Sequence, residues 1–199
     1  MSRIGGFDDI NINLRFWMSR ILSAIDRPRI VYDIGANEGQ LTVPFLGEID
    51  TLVAFEPNSV ASDRLRQRVA GMGKAADVRV FPVALSDRDG SAELVEYSDD
   101  TFNSLYRRPT TDLDQYRLSE TRTVTVPTTT LDGTVTETDL PAPSLIKVDV
   151  EGAELSVLKG AEATIGAALP AMLVEYSCIN TQNAGYPREH ILAELKKHG

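Results

Sequence analysis

Several residue types that whole protein classes depend on are scarce in this chain. A single cysteine, Cys178, rules out an internal disulfide and any cysteine-rich metal centre. The only two histidines, His190 and His198, fall in the last stretch of sequence and read as surface residues, so the commonest general base is scarce. Basic residues are outnumbered, with 20 Lys and Arg against 29 Asp and Glu, a net charge of −9 and a pI near 4.7. A field of that sign argues against a nucleic-acid surface and against docking on an anionic membrane. No apolar run approaches the length of a membrane span. The first apolar stretch is broken by Asp8, Asp9, Arg15 and Arg20, which does not match a signal peptide, so a cytoplasmic protein is expected. Repeats and low-complexity tracts are missing, and so is the G-x-G-x-x-G fingerprint, which argues against an NAD(P)-dependent oxidoreductase.

What remains is a pattern of alternating strands and helices. At 199 residues, with 42% hydrophobic and 25% charged content, the chain is expected to form one α/β domain (residues 1–199) with a full core. The alternation predicts a mainly parallel sheet with helices on both faces. An N-terminal helix over 8–25, within segment 1–27, is capped by Asp8 or Asp9 and carries Ile10, Leu14, Trp17, Ile21 and Ile25 at helical spacing. Strands are expected at 29–33, 51–55, 78–84, 144–149 and 171–176, with helices at 40–46, 62–72, 153–165 and 188–197. Residues 86–130 break the rhythm after the third strand: 91–97 and 123–127 alternate as strands that can pair antiparallel, around a polar stretch at 98–121. Such a hairpin with a long loop is placed near the site, as a cover facing the substrate. Arg107 and Arg108 within it either recognise a carboxylate or phosphate or form a solvated pair. The last segment, 144–199, ends on a helix, without a further antiparallel hairpin. Either the sequence is a piece or the sheet edge is closed in another way.

The most informative motif is Asp33-Ile34-Gly35-Ala36-Asn37-Glu38-Gly39, at the end of the first strand. Gly35 and Gly39 let the backbone turn sharply and approach a ligand, and a helix after them would aim free N–H groups at it. Asp33 sits where a pyrophosphate would be repelled. A carboxylate there suits a cofactor with a cationic end, such as the ammonium and sulfonium of S-adenosylmethionine; the plain alternative is a strand-to-helix turn. Glu56 and Pro57 end the second strand, at about the 20-residue spacing from Gly35 at which an acid accepts hydrogen bonds from a ribose diol. Segment 29–85 is therefore expected to be the cofactor-binding half.

A third piece, Lys147-Val148-Asp149-Val150-Glu151-Gly152-Ala153-Glu154, runs from a strand into a helix, and Val174-Glu175-Tyr176 follows. With Phe81 to Asp87 and Thr128 to Asp132, this ordered set resembles the FkbM family of S-adenosylmethionine-dependent methyltransferases over roughly residues 29–177. The resemblance implies a Rossmann-like methyltransferase fold and methylation of a hydroxyl oxygen, often on a sugar or polyketide-type product. The expected partner is then a small-molecule hydroxyl acceptor. Asp33 and the Gly35-Ala36-Asn37-Gly39 loop would hold the methionine part, Glu56 and Pro57 the ribose, and Val83, Ala84 and Leu85 the adenine. Asn37 either bonds the carboxylate end or is simply a left-handed turn residue.

With no well-placed histidine, the candidates for removing the acceptor proton are carboxylates at strand tips: Asp149, Glu151 and Glu175, with Glu154 beside them. Acids at a helix start are also good caps, so at least one is expected to be structural. Two or more could hold Mg²⁺; the metal-free arrangement with Asp149 as base is favoured. Lys147 projects to the same strand face as Asp149, either neutralising acids or snorkelling. A cofactor-binding module without catalysis is the other alternative.

Overall fold

The computed structural model describes residues 7–73 and 76–198, with side chains from Leu14 onward. Asp8, Asp9 and Ile10, expected as caps and stripe of the first helix, lie outside the described side chains. In chain order the elements are α1 (Phe7–Ala24), β1 (Ile30–Ile34), β2 (Thr51–Phe55), α2 (Ser59–Ala70), β3 (Asp77–Phe81), β4 (Ala84–Leu85), β5 (Gly90–Tyr97), α3 (Thr110–Tyr116) and β6 (Glu120–Thr129). Then come α4 (Leu131–Thr138), β7 (Leu145–Val148), α5 (Glu154–Lys159), α6 (Glu162–Ala168), β8 (Ala171–Val174), α7 (Cys178–Asn183) and α8 (Glu189–Leu195).

Five strands form one parallel sheet in the order β3-β2-β1-β7-β8. The order reverses between β1 and β7, the place where open α/β sheets open a crevice at their carboxyl ends. Strand side chains alternate between two cores. Tyr32, Ile34, Val53, Phe55, Ile146 and Val148 face one, with Leu131, Val157 and Ile191. Val31, Leu52, Ala54 and Leu145 face the other, with Met18, Leu22, Val43 and Leu65. A parallel sheet buried on both faces explains the near-continuous apolar strands.

The second sheet, in the order β4-β6-β5, is built on the expected hairpin: β5 and β6 pair antiparallel from Gly90↔Thr128 to Tyr97↔Glu120. It also takes the end of the expected third strand. Residues 78–84 are not one strand, because Pro82 cannot donate to a ladder; β3 stops at Phe81, and Ala84–Leu85 pair with Thr128–Thr129 instead. The helix expected over 40–46 is only a 3-10 turn at Val43–Phe45, with Pro44 inside it and glycines at 39 and 47 on either side. The helix expected over 153–165 is two. Gly160 packs its backbone against Ser86, where a β-carbon would collide with the Ser86 carbonyl. The second piece restarts with Asp132 accepting from Ala163 N at 2.9 Å and Thr164 N at 2.7 Å. The segments α3, α4 and α7 were not anticipated as helices.

The N-terminal helix packs on the sheet through Met18 and Leu22, both fully buried, whereas Trp17 is 57% exposed and rests edge-on against Phe16. The stripe expected through Trp17 is therefore turned outward at that position. Leu22→Ala should lower the unfolding free energy by about 2–5 kcal/mol. Trp17→Ala should change it by only about 0.5 kcal/mol. Urea denaturation of the two variants tests which face of α1 belongs to the core.

Candidate active site

A cleft of about 610 Å³ opens at the carboxyl ends of β1, β2, β7 and β8. Of the residues singled out in the sequence, Gly35, Ala36, Asn37, Glu56, Pro57, Ala84, Leu85, Asp149, Glu151 and Glu175 line it. Asp33 and Gly39 stand behind the wall. Asp33 is 1% exposed, accepts from Thr42 Oγ1 at 2.7 Å and lies 3.1 Å from Lys147 Nζ. Gly39 (φ +74°) is needed for packing, because a β-carbon there would run into Val43 and Leu65.

The loop after β1 does not present free N–H groups, contrary to expectation, because no helix follows it. Gly35 N and Ala36 N donate to the Phe55 carbonyl, at 3.0 and 3.1 Å. Asn37 N donates to Glu56 Oε2 at 2.8 Å, Glu38 N to Asn37 Oδ1 at 2.7 Å and Gly39 N to the Ala36 carbonyl at 2.8 Å. Every N–H from Gly35 to Gly39 is consumed internally, so this turn is no phosphate cradle. Gly35 (φ +76°) is held closely against β7, where a β-carbon would overlap the Asp149 carbonyl. Asn37 is in the left-handed region (φ +47°), and its Nδ2 donates to Asp100 Oδ1 at 3.3 Å.

Glu56 is clasped from both sides. Its second oxygen accepts from Asn58 N at 2.8 Å, while the Asn58 side chain caps α2. Burial pushes the Glu56 carboxyl up to about 7, against the two backbone N–H groups that favour its ionised form. A carboxylate has about four acceptor positions, so two donors leave capacity for a diol.

Lys147 is 5% exposed and joins the two sides of the switch point. It pairs in register with Asp33, reaches Asp149 Oδ2 at 3.8 Å and donates to the Gly35 carbonyl at 2.6 Å. Burial opposes its charge, but Asp33 and Asp149 outweigh burial and raise its affinity for the proton. It is a neutralising lysine rather than a snorkelling one.

Asp149, Glu151 and Glu175 bring carboxylate oxygens within 4.8 Å of one another. Glu154 is the structural acid: its Oε1 accepts from Val150 N and Gly152 N, both at 3.1 Å. Two further residues complete the cluster: Asn180, without a sequence signal, and Arg108, from the basic pair singled out in the sequence. Asn180, on α7, donates to Glu151 Oε2 at 2.9 Å and to both oxygens of Glu175, at 3.0 and 3.1 Å. Arg108 is 5% exposed, ion-pairs with Glu151 and stacks 5.0 Å over the Phe102 ring. It is neither a solvated residue nor one open to an acceptor; Arg107 is exposed and pairs with Glu120. The hairpin loop does cover the cleft: Asp100 to Leu105 line it, and Ser104 Oγ donates to the Glu151 carbonyl at 2.7 Å.

Burial, then Glu151 and Asp149, push Glu175 up to about 9. Burial and Asp149 also raise Glu151, to about 7, against the pull of Arg108. With a guanidinium in direct contact, Glu151 keeps the charge and Glu175 keeps the proton.

This fold and cleft define a Rossmann-like domain of the methyltransferase type. The Methyltransferase FkbM domain family matches residues 33–199, and the chain belongs to that family. It is 31% identical over 156 residues to 2-O-methyltransferase NoeI of Sinorhizobium fredii, covering 73% of this chain and 63% of that protein. It is 27% identical over 140 residues to hexuronic acid methyltransferase AglP of Haloferax volcanii, covering 70% and 53% respectively. The chain thus spans less than two thirds of the length of either relative. The crystal structure of Methyltransferase FkbM from Methylobacillus flagellatus KT shares the fold, with a TM-score of 0.54 at 19% identity over 88% of this chain and 38% of that one. No helix among the described residues is long and apolar enough to cross a membrane.

Because native Glu175 holds a proton that the unfolded chain releases near pH 4.5, stability should fall as pH rises from there towards 9. Glu175→Gln should flatten that slope and melt above the parent at pH 8. Thermal melts of both proteins between pH 5 and 8 check this.

Proposed function

We propose that this domain binds S-adenosylmethionine and transfers its methyl group to a hydroxyl oxygen of a sugar-like small molecule. The observation that carries this reading is the division of the cleft: a doubly clasped Glu56 at one end, three clustered carboxyls at the other, and between them a turn whose N–H groups from Gly35 to Gly39 are all spent. Such a wall suits a ribose diol and a cationic centre, and offers nothing to a pyrophosphate. The names of the two relatives, a 2-O-methyltransferase and a hexuronic acid methyltransferase, support an oxygen acceptor on a carbohydrate.

Each residue then has a task. Glu56, with Pro57 beside it, accepts from the ribose hydroxyls. Val83, Ala84 and Leu85 flank the adenine. Ala36 and Asn37 face the amino-acid end across the tight turn at Gly35 and Gly39. Asp33 acts through Lys147, which fixes Asp149. When bound, the cofactor supplies an activated methyl group, so the protein chiefly aligns the acceptor and accepts its proton. Alignment alone contributes about 7–11 kcal/mol. Asp149, with its side chain 37% exposed at the tip of β7, takes the proton. Glu151 and Glu175 orient the acceptor. Mg²⁺ would suit three clustered carboxylates, but Arg108 and Asn180 already occupy two of them, which favours the metal-free arrangement.

Calorimetry with S-adenosylhomocysteine should show binding. Glu56→Ala should weaken it by about 1.5–3 kcal/mol, roughly 10–150-fold; unchanged affinity would remove Glu56 from the ribose site. Asp149→Asn should bind the product like the parent while losing about 10²–10⁴-fold in turnover. Chelator should leave the parent's turnover unchanged. Binding without transfer to any hydroxylated acceptor would instead assign a non-catalytic module.

A further inference from the structure

The one cationic side chain on the described wall of the cleft is already committed, and this limits what the acceptor can carry. Five carboxyl side chains on the wall, those of Glu56, Asp100, Asp149, Glu151 and Glu175, face one cationic side chain, Lys147. Lys147 is buried between Asp33 and Asp149, with the Gly35 carbonyl as a further acceptor. Behind the wall, the Arg108 guanidinium is held by the Glu151 carboxylate, the Asn180 side-chain oxygen at 3.2 Å, the Phe102 carbonyl at 3.4 Å and, more distantly, the Asp112 carboxylate at 4.0 Å. The Asn180 amide is spent on Glu151 and Glu175. No ammonium or guanidinium among the described residues of the wall is left to meet an incoming anion.

A carboxylate or phosphate brought into this end of the cleft would lose its hydration without meeting a cation, with at most the Glu175 proton as donor, and would sit beside the Asp149 and Glu151 carboxylates. Specificity of this kind comes from what the site repels as much as from what it attracts. The crowding adds to burial at Glu175: burial first, then Glu151 and Asp149, push it up to about 9. A sugar hydroxyl meets the same surface differently, because it donates to a carboxylate, and an amino group does so with charge.

We propose that the acceptor carries no anionic group beside its reacting hydroxyl: the cleft takes a neutral or amino-bearing sugar unit and discriminates against the corresponding uronate, with Glu151 as the specificity-determining residue. This rests on the methyl-transfer reading above and narrows its substrate class. Glu151 decides the matter because it both supplies negative charge and occupies Arg108. Its replacement by glutamine removes a negative charge from the wall and leaves the buried guanidinium with only the Asp112 carboxylate, 4.0 Å away, as counter-charge.

The test uses matched pairs of nitrophenyl pyranosides differing only at C6, glucoside against glucuronide and galactoside against galacturonide, with the glucosaminide as the amino member. Saturation-transfer NMR measures their binding to protein saturated with S-adenosylhomocysteine, and radiolabelled methyl transfer follows their turnover, in chelator. The neutral and amino members should be favoured at least about tenfold, a threshold that corresponds to 1.4 kcal/mol. Glu151→Gln should shrink that ratio towards one, whereas Glu175→Gln, which frees no cation, should keep it. Uronides bound as well as their neutral partners, a ratio unmoved by Glu151→Gln, or binding of neither member would each overturn the proposal. If S-adenosylhomocysteine itself does not bind, the methyl-transfer reading falls as well; if it binds and uronides are preferred, only the acceptor charge assigned here is wrong.

Discussion

The buried pair of Asp33 and Lys147 is the interaction on which the rest of the structure depends. The two residues are register partners on β1 and β7, at the point where the strand order reverses. An ammonium that deep in the sheet persists only with a counter-charge, and removal of one partner from such a pair typically costs about 3–5 kcal/mol. Lys147 also gathers the carbonyls that end β1, donating to Ile34 at 3.4 Å and Gly35 at 2.6 Å. The turn at Gly35 is thereby pressed against the backbone of Asp149, and one ion pair sets both lips of the cleft.

A second set of contacts ties the hairpin loop to those lips. Arg108 and Ser104 reach the turn after β7, and Asn37 reaches Asp100. Further along, the Asn58 side chain donates to Glu96 at 3.0 Å, and Arg122 grips the same carboxylate. The smaller sheet is therefore fastened to the loops after β1, β2 and β7 through polar side chains, in addition to its own small apolar clusters of Leu94 with Val126 and of Val95 with Phe102.

The sequence disclosed the parallel sheet, because strands buried on both faces leave continuous apolar runs, as in Thr51 to Phe55. It also disclosed most of the cleft wall, because a strand tip that ends in an acid or glycine is a local signal. It did not disclose what breaks a helix through tertiary contact, as at Gly160, where the cause is the Ser86 backbone far away in the chain. Nor did it separate Asp33 from Asp149: both are acids at strand tips, and only the fold places one buried behind the wall and the other on it. Arg108 was visible as one of a basic pair, but its partner was not, and Asn180 was beyond reach: Glu151 lies 43 and 29 residues away from them in the chain. Glu154 was half legible, as an acid at a helix start whose capping role could be suspected but not assigned.

The saturated turn after β1 bears on competition with adenine nucleotides. Wherever they are abundant, a cleft that recognised adenosine alone would be occupied by them. A turn from Gly35 to Gly39 with no N–H group to spare, in front of a wall rich in carboxyls, gives a phosphate chain no anchorage there and repels it. On the proposed reading, discrimination between one adenosine-bearing molecule and another then rests on the charge attached to the far side of the ribose. That filter is built from main-chain hydrogen bonds rather than from a dedicated recognition side chain, so few single substitutions in the loop could relax it without first disturbing the turn itself.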